Sequence, residues 1–236
     1  MKTKIVLMVS VVLIVFLSPV TFAADNKDFY ESGQIVAGEV WNMVNIYNDD
    51  TVVDMSGGMC DQIWTYHLST LNITGGQAQV WAQDHSVINI SDGTISNSAY
   101  AYLNSTINYS GSAFGHNLGA FDSGKVYMTG GTIENIGSSD LGIVNLYGGT
   151  ISDSLFASGS AVINMFGYDL VKSYSGGNYD NGWVSGFWSD DIAFNIDLYG
   201  SETYSHINLI PEPFTIWLLG LGCLRFMRKR TCKVIR

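Results

Sequence analysis

Residues 70–76 read TLNITGG, residues 87–93 VINISDG and residues 106–112 TINYSGS. In each, two apolar residues flank a polar one, and glycine or aspartate follows shortly after. The same pattern recurs as MVNIYND (43–49), VVDMSGG (52–58), KVYMTGG (125–131), IVNLYGG (143–149), VINMFGY (162–168) and NIDLYGS (195–201). The central residues are Asn45, Asp54, Asn72, Asn89, Asn108, Tyr127, Asn145, Asn164 and Asp197, separated by 9, 18, 17, 19, 19, 18, 19 and 33 residues. A period of 18 to 19 residues with one half-step at the start and one insertion near the end marks a repeat architecture.

The residues before and after each anchor are apolar, from Val44 and Ile46 through Ile88 and Ile90 to Ile196 and Leu198. Period-two alternation predicts a short strand with both flankers inward and the anchor outward. Three residues past the anchors stand Asn48, Gly57, Gly75, Asp92, Gly111, Gly130, Gly148, Gly167 and Gly200, the residue types that best tolerate positive φ, so a sharp turn is expected there. An apolar residue then usually returns (Cys60, Ala78, Ile95, Phe114, Ile133, Ile151, Leu170) and is expected to open a second strand on the same core. The expected fold is all-β: a parallel β-solenoid with one rung per repeat over residues 43–209, capped by residues 24–42. Eight or so rungs would make a rod about 40 Å long. Anchors stacked one above another repel when charged and hydrogen-bond when they are amides, so the Asn row reads first as a structural ladder. The sequons at Asn72, Asn89, Asn104 and Asn108 are by-products of that row. After Gly167 the spacing breaks, and residues 172–191, rich in Gly, Asn and aromatics, are expected to form a long lateral loop.

Between Ala24 and Pro213 the cations are Lys27, Lys125 and Lys172, set against 21 carboxylates, and there is no Arg. A net charge of about −18 repels phosphate backbones and argues against nucleic acid as a partner. It also disfavours a polysaccharide lyase that needs a basic proton acceptor. Asp190, Asp191 and Asp197 are the candidate carboxylates for a glycoside hydrolase, the enzymatic alternative, although nothing sets their separation. His67, His85, His116 and His206 lack metal-ligand spacing, and Cys60, the lone cysteine of this region, reads as a small core residue. Asn178 and Asp180 in GGNYDNG offer oxygens for Ca²⁺ without the repeated acidic spacing of calcium solenoids; a calcium-dependent adhesin is the third alternative. No catalytic residue and no cofactor is assigned. The aromatics Trp64, Trp81, Tyr174, Tyr179, Trp183, Phe187 and Trp188, partly clustered in irregular segments, are the better functional lead; Tyr179, Trp183, Phe187 and Trp188 are the candidate glycan contacts, with packing or capping as the competing role.

The two ends differ from the middle. Residues 1–23 carry Lys2 and Lys4, an apolar run from Ile5 to Leu17 and the small-residue site ending at Ala23, which predicts a cleaved secretory signal peptide. At the other end, Pro211-Glu212-Pro213 precedes an apolar run from Phe214 to Leu224 and the basic residues Arg225, Arg228, Lys229 and Arg230. The run spans about 17 Å as a helix, so it needs flanking residues to cross a bilayer, with the basic tail cytoplasmic.

Residues 210–236 resemble the PEP-CTERM sorting signal of Gram-negative bacteria in motif order, spacing and terminal position. Phe214 after the motif and the extension TCKVIR depart from the usual pattern. The resemblance implies that an exosortase-type enzyme recognises Pro211, Glu212 and Pro213. Cleavage nearby would release the solenoid from transient inner-membrane anchoring to the cell surface or an extracellular polymer. The middle also resembles the Gly-rich repeats of other exported bacterial β-solenoids. The expected protein is a non-enzymatic surface or matrix component associated with exopolysaccharide.

Overall fold

The computed structural model describes residues 25–111, 113–174 and 182–211. The signal-peptide region, Tyr179, Glu212, Pro213, the apolar C-terminal run and the basic residues Arg225, Arg228, Lys229 and Arg230 lie outside them. Among the described residues no helix is long and apolar enough to cross a membrane.

The described chain is all-β, a parallel β-solenoid of about seven turns. Its first strands are β1 (Asn26–Phe29), β2 (Gly33–Ile35), β3 (Val40–Ile46), β4 (Val52–Thr65), β5 (Thr70–Ala82) and β6 (Val87–Ala101). There follow β7 (Thr106–Tyr109), β8 (Phe114–Ala120), β9 (Lys125–Met128), β10 (Thr132–Ser138), β11 (Ile143–Leu146) and β12 (Thr150–Ala157). The chain closes with β13 (Val162–Tyr174), β14 (Gly182–Phe187), β15 (Ala193–Tyr199), a one-turn helix α1 (Thr203–His206) and β16 (Ile207–Pro211).

Each rung has two legs. The first carries the anchor, and its register runs Gln34, Asp54, Asn72, Asn89, Asn108, Tyr127, Asn145, Asn164 and Asn208. The second leg follows the corner; in β4, β5 and β6 both legs belong to one long bent strand. Two repeat copies therefore change place. MVNIYND stacks on residues 62–65 of the second leg, which explains the 9-residue half-step: Asn45 and Asp54 sit on different legs. NIDLYGS likewise pairs with β12 on the second leg, and the last anchor of the first leg is Asn208. Within the N-terminal segment, β1 pairs with β3 and β2 with β4, so its strands extend both legs backwards.

Both flankers of each first-leg anchor point inward: Leu71, Ile73, Ile88, Ile90, Ile107, Tyr109, Val126 and Met128 are all buried. Ile63, Val80, Ala99, Leu118, Ile136 and Leu155 meet them from the second leg. The left-handed corner falls one residue later than expected in five rungs, at Gly58, Gly76, Gly93, Gly131 and Gly149 (φ +80 to +99). The preceding glycine instead permits close rung stacking: a Cβ on Gly75 would lie 2.7 Å from the Ser56 carbonyl oxygen. Asp92 keeps ordinary φ and accepts the Gly93 N–H at 2.7 Å. Asn48, Gly111 and Gly200 hold the corner where expected, while Gly167 lies within β13.

A second column of turns returns the chain to the first leg. It places His67, Asp84, Leu103, Asp122 and Asp140 at φ +55 to +59, and Asp is among the few side chains that tolerate this region. The turns close with hydrogen bonds such as Ser86 N–H to Gln83 O at 3.0 Å and Gly124 N–H to Phe121 O at 2.8 Å.

Of the expected loop at 172–191, residues 172–174 and 182–187 are strand, and residues 175–181 lie outside the described residues. β13 runs on to Tyr174, β14 returns antiparallel to it, and β15 pairs antiparallel with β14 and parallel with β12. Trp183 and Tyr199 alternate with small or buried residues in this meander, an alternation hidden in the sequence by the abundance of Gly and aromatics. The Lys172 amine, pulled below its ordinary pKa by burial, donates to the carbonyls of Tyr204 (3.0 Å) and Ile207 (2.8 Å) and ties α1 to the meander.

Candidate functional surface

The anchor row is a hydrogen-bonded ladder with one polarity. Asn72 Nδ2 donates to Asp54 Oδ1, Asn89 to Asn72 and Asn108 to Asn89, each at 2.8 Å. Tyr127 interrupts the row, which resumes as Asn164 donating to Asn145 (3.0 Å) and Asn208 to Asn164 (3.1 Å). On the second leg Asn45 donates to Asp28 at 2.8 Å. Every amide after the first member of a run gives its N–H to the preceding rung, so the first member, Asn145 in the run after Tyr127, need only accept. Asp28 and Asp54 occupy that place in the other two runs.

Aromatic rings line the outside of the second leg and its return turn. Tyr30, Tyr47 and Tyr66 stack at 5.3 and 5.1 Å, Trp64 stacks on Trp81 at 4.7 Å, and Tyr102 stacks on Phe121 at 5.3 Å. Rung spacing alone sets these distances, because identical register brings side chains of successive rungs to the separation of stacked rings. Burial raises the phenols of Tyr47, Tyr66 and Tyr102, so they remain uncharged. These rings lie beside Gln62, Gln79 and Asn97, and the Trp64 indole N–H donates to Gln62 at 3.3 Å. The arithmetic of the anchors does not single out this row. Its signal in the sequence is a second column at the same period, which joins Tyr47 to Tyr66 and Tyr102 to Phe121.

The aromatic residues selected from sequence fare differently. Trp183 is 37% exposed and Phe187 is half-buried, stacked on Tyr168 at 5.2 Å. Trp188 is fully buried, stacked on Phe194 at 4.0 Å, with its indole N–H donating to Gly149 O at 3.0 Å. So packed, it caps the core and offers no ring face to a sugar.

The three candidate carboxylates have separate environments. Asp191 accepts the Tyr168 hydroxyl at 2.6 Å, which pushes that phenol up to about 12, and Asp190 accepts the Ile192 N–H at 3.3 Å within the turn. Asp197 is exposed and in register with Ser154 and Trp183. His116 pairs with Glu134 at 2.8 Å, His67 lies 4.0 Å from Asp84, and His206 Nδ1 lies 2.7 Å from Ala161 O. Among the described residues no group of three or more His, Cys, Asp or Glu could hold a metal ion. Asn178 and Asp180 fall outside them.

Cys60 is buried in the core, and desolvation pushes its thiol up to about 11. A thiol so placed is almost wholly protonated at neutral pH. Cys60 is therefore expected to resist iodoacetamide at pH 7.5 in the native protein and to react within minutes in guanidinium chloride, read by intact mass. No known family model matches the sequence, and neither a curated protein nor a solved structure matches it.

Proposed function

We propose that this chain is an exported, non-enzymatic structural and interaction protein of the cell surface or extracellular matrix, associated with exopolysaccharide and sorted by its C-terminal signal. The observation that supports this reading best is the outer face of the second leg, where stacked rings and amide side chains run along a rigid parallel scaffold. Aromatic faces beside amides suit sugar rings, whose C–H faces stack and whose hydroxyls both donate and accept. The sorting half of the proposal rests on residues 210–236. Pro211, the first residue of the motif, is also the last residue of β16.

Intact mass of protein from the medium, surface and membrane fractions of the native host tests the sorting half. Wild type at the surface should lack everything beyond about Pro213, and Glu212→Ala should remain full-length in the membrane. Surface-exposed wild type that retains Arg236 would replace sorting by a permanent anchor.

A further inference from the structure

One rung is shorter than its neighbours on the second leg, and the deficit opens a groove. Between the inward residues Cys60 and Ile63, β4 carries Asp61 and Gln62; between Ile95 and Ala99, β6 carries Ser96, Asn97 and Ser98. The corresponding stretch of β5, between Ala78 and Val80, has Gln79 alone. Relative to β5, the rungs on either side carry one and two extra residues at this point, the same shortfall that makes the Asn72-to-Asn89 spacing 17 residues. The result is a groove of about 360 Å³ whose polar lining comes from Asn42, Asp61, Gln77, Gln79 and Ser96. Its lining runs across four successive rungs, from β3 to β6, about 14 Å.

We infer that this groove binds an uncharged polysaccharide chain, which gives a location and a ligand class to the polysaccharide association proposed above and rests on that reading. Three features carry the inference. First, the polar half of the lining is amide and hydroxyl (Asn42, Gln77, Gln79 and Ser96), groups that donate and accept as sugar hydroxyls do, with the Asp61 carboxylate as an added acceptor for a pair of neighbouring hydroxyls. Second, exposed Met59 and Val40 add apolar surface to the same groove, and the Trp64–Trp81 stack lies two residues beyond Gln62 and Gln79 on the same outward side. Apolar and polar surface side by side matches the two faces of a pyranose. Third, the groove holds a carboxylate and no cation, within a region of net charge about −18, which repels uronate, sulfate and phosphate polymers. The Asn97 amide donates to Gln79 Oε1 at 3.4 Å and orients it across the groove.

The test is calorimetric titration of the full-length chain in detergent with a soluble neutral β-glucan, a galactomannan and alginate. Two variants accompany it. One inserts a serine between Gln79 and Val80, which lengthens the short rung to match β4 and fills the groove from below. The other is Gln77→Ala/Gln79→Ala, which removes hydrogen-bonding groups without changing the backbone. Circular dichroism verifies that each variant is folded.

Binding of a neutral polymer but not alginate, weakened tenfold or more in a folded variant, is the expected result. Neutral binding that is equal in wild type and both variants overturns the groove while the polysaccharide association stands. Preference for alginate overturns the ligand class. No binding to any polymer overturns both the inference and the polysaccharide association.

Discussion

Replacing Tyr109 by alanine is expected to destabilise the solenoid by about 3–5 kcal/mol, the range for removing a fully buried aromatic side chain from a core. Tyr109 stands in an inward column of aliphatic and methionine side chains, between Ile90 and Met128, and it is wholly buried. Its ring fits because two glycines face it: a Cβ on Gly131 would lie 2.6 Å from Tyr109 Cε1, and one on Gly115 would lie 3.4 Å from its hydroxyl. The hydroxyl donates to Thr132 O at 2.9 Å, so the polar end is satisfied inside the core, and burial raises its pKa so that it stays protonated. Neighbours with no side chain cannot collapse into the space that alanine leaves. Urea denaturation should show the full loss for Tyr109→Ala and about 1 kcal/mol for Tyr109→Phe, which forfeits the hydrogen bond alone. Gly131→Ala should cost less in the Tyr109→Ala background than in wild type, since the clash with the ring disappears while the 2.9 Å approach to the Ala113 carbonyl oxygen and the strain at φ +82 remain. Equal costs in the two backgrounds would refute this account of how the ring is held.

How far the fold can be read from sequence depends on which leg a residue occupies. Alternation of apolar and polar residues is local, so β-branched flankers such as Ile88 and Ile90 are legible as inward without any knowledge of the rest. The same alternation is present on the second leg, and nothing within MVNIYND or NIDLYGS says to which leg it belongs. Their endings carry a hint: both lack the Gly-Gly pair that closes the first leg in four of the copies, at 57–58, 75–76, 130–131 and 148–149. Asn208 is hidden as an anchor because Leu209-Ile210-Pro211 follows it instead of a corner. The pair Gly75-Gly76 predicts a corner, yet which glycine is left-handed depends on how close the neighbouring rung comes, a contact between residues about 18 apart in the chain.

The candidate surface is less legible than the scaffold. Trp188 and Phe187 stand out in the sequence because they interrupt the repeat, and an interruption suggests exposure. In the structure the interruption is a capping meander, and a cap must bury apolar side chains over the open end of the core. The rings that line the outer face, Trp64, Trp81, Tyr47, Tyr66 and Tyr102, lie inside the periodic part and are stacked by it. The groove is written in the spacings 18, 17 and 19 around Asn72 and Asn89, but a one-residue deficit acquires meaning only when the registers of β4, β5 and β6 place it between two bulges.

Asn89→Asp is expected to cost about 1–3 kcal/mol at pH 7, although it exchanges one side-chain atom at a half-buried position. Asn89 donates to Asn72 and accepts from Asn108, so a carboxylate in its place keeps the second bond and loses the first. Asn72 cannot repair the loss by turning its amide over. It already donates to Asp54, and an amide between two carboxylates can present its N–H₂ to one of them while its oxygen must face the other. With carboxylates at positions 54 and 89, the run therefore contains one oxygen–oxygen contact whichever way Asn72 points. Asp54→Asn alone, at the accepting end of the ladder, should change stability by about 0.5 kcal/mol or less.

Combined with Asn89→Asp, it should restore most of the stability, because Asn72 can then donate to the carboxylate at position 89 and accept from the new amide at position 54. Acid provides a second check. The oxygen–oxygen contact raises the folded-state pKa of the introduced carboxyl above its unfolded value. The deficit is therefore fully present above the folded pKa, shrinks as pH falls through it, and is gone below the unfolded pKa near about 4. Urea denaturation of wild type, both single variants and the double variant at pH 7 and pH 4 reads all of these. A double variant no more stable than Asn89→Asp would show that the anchors are stacked without being coupled.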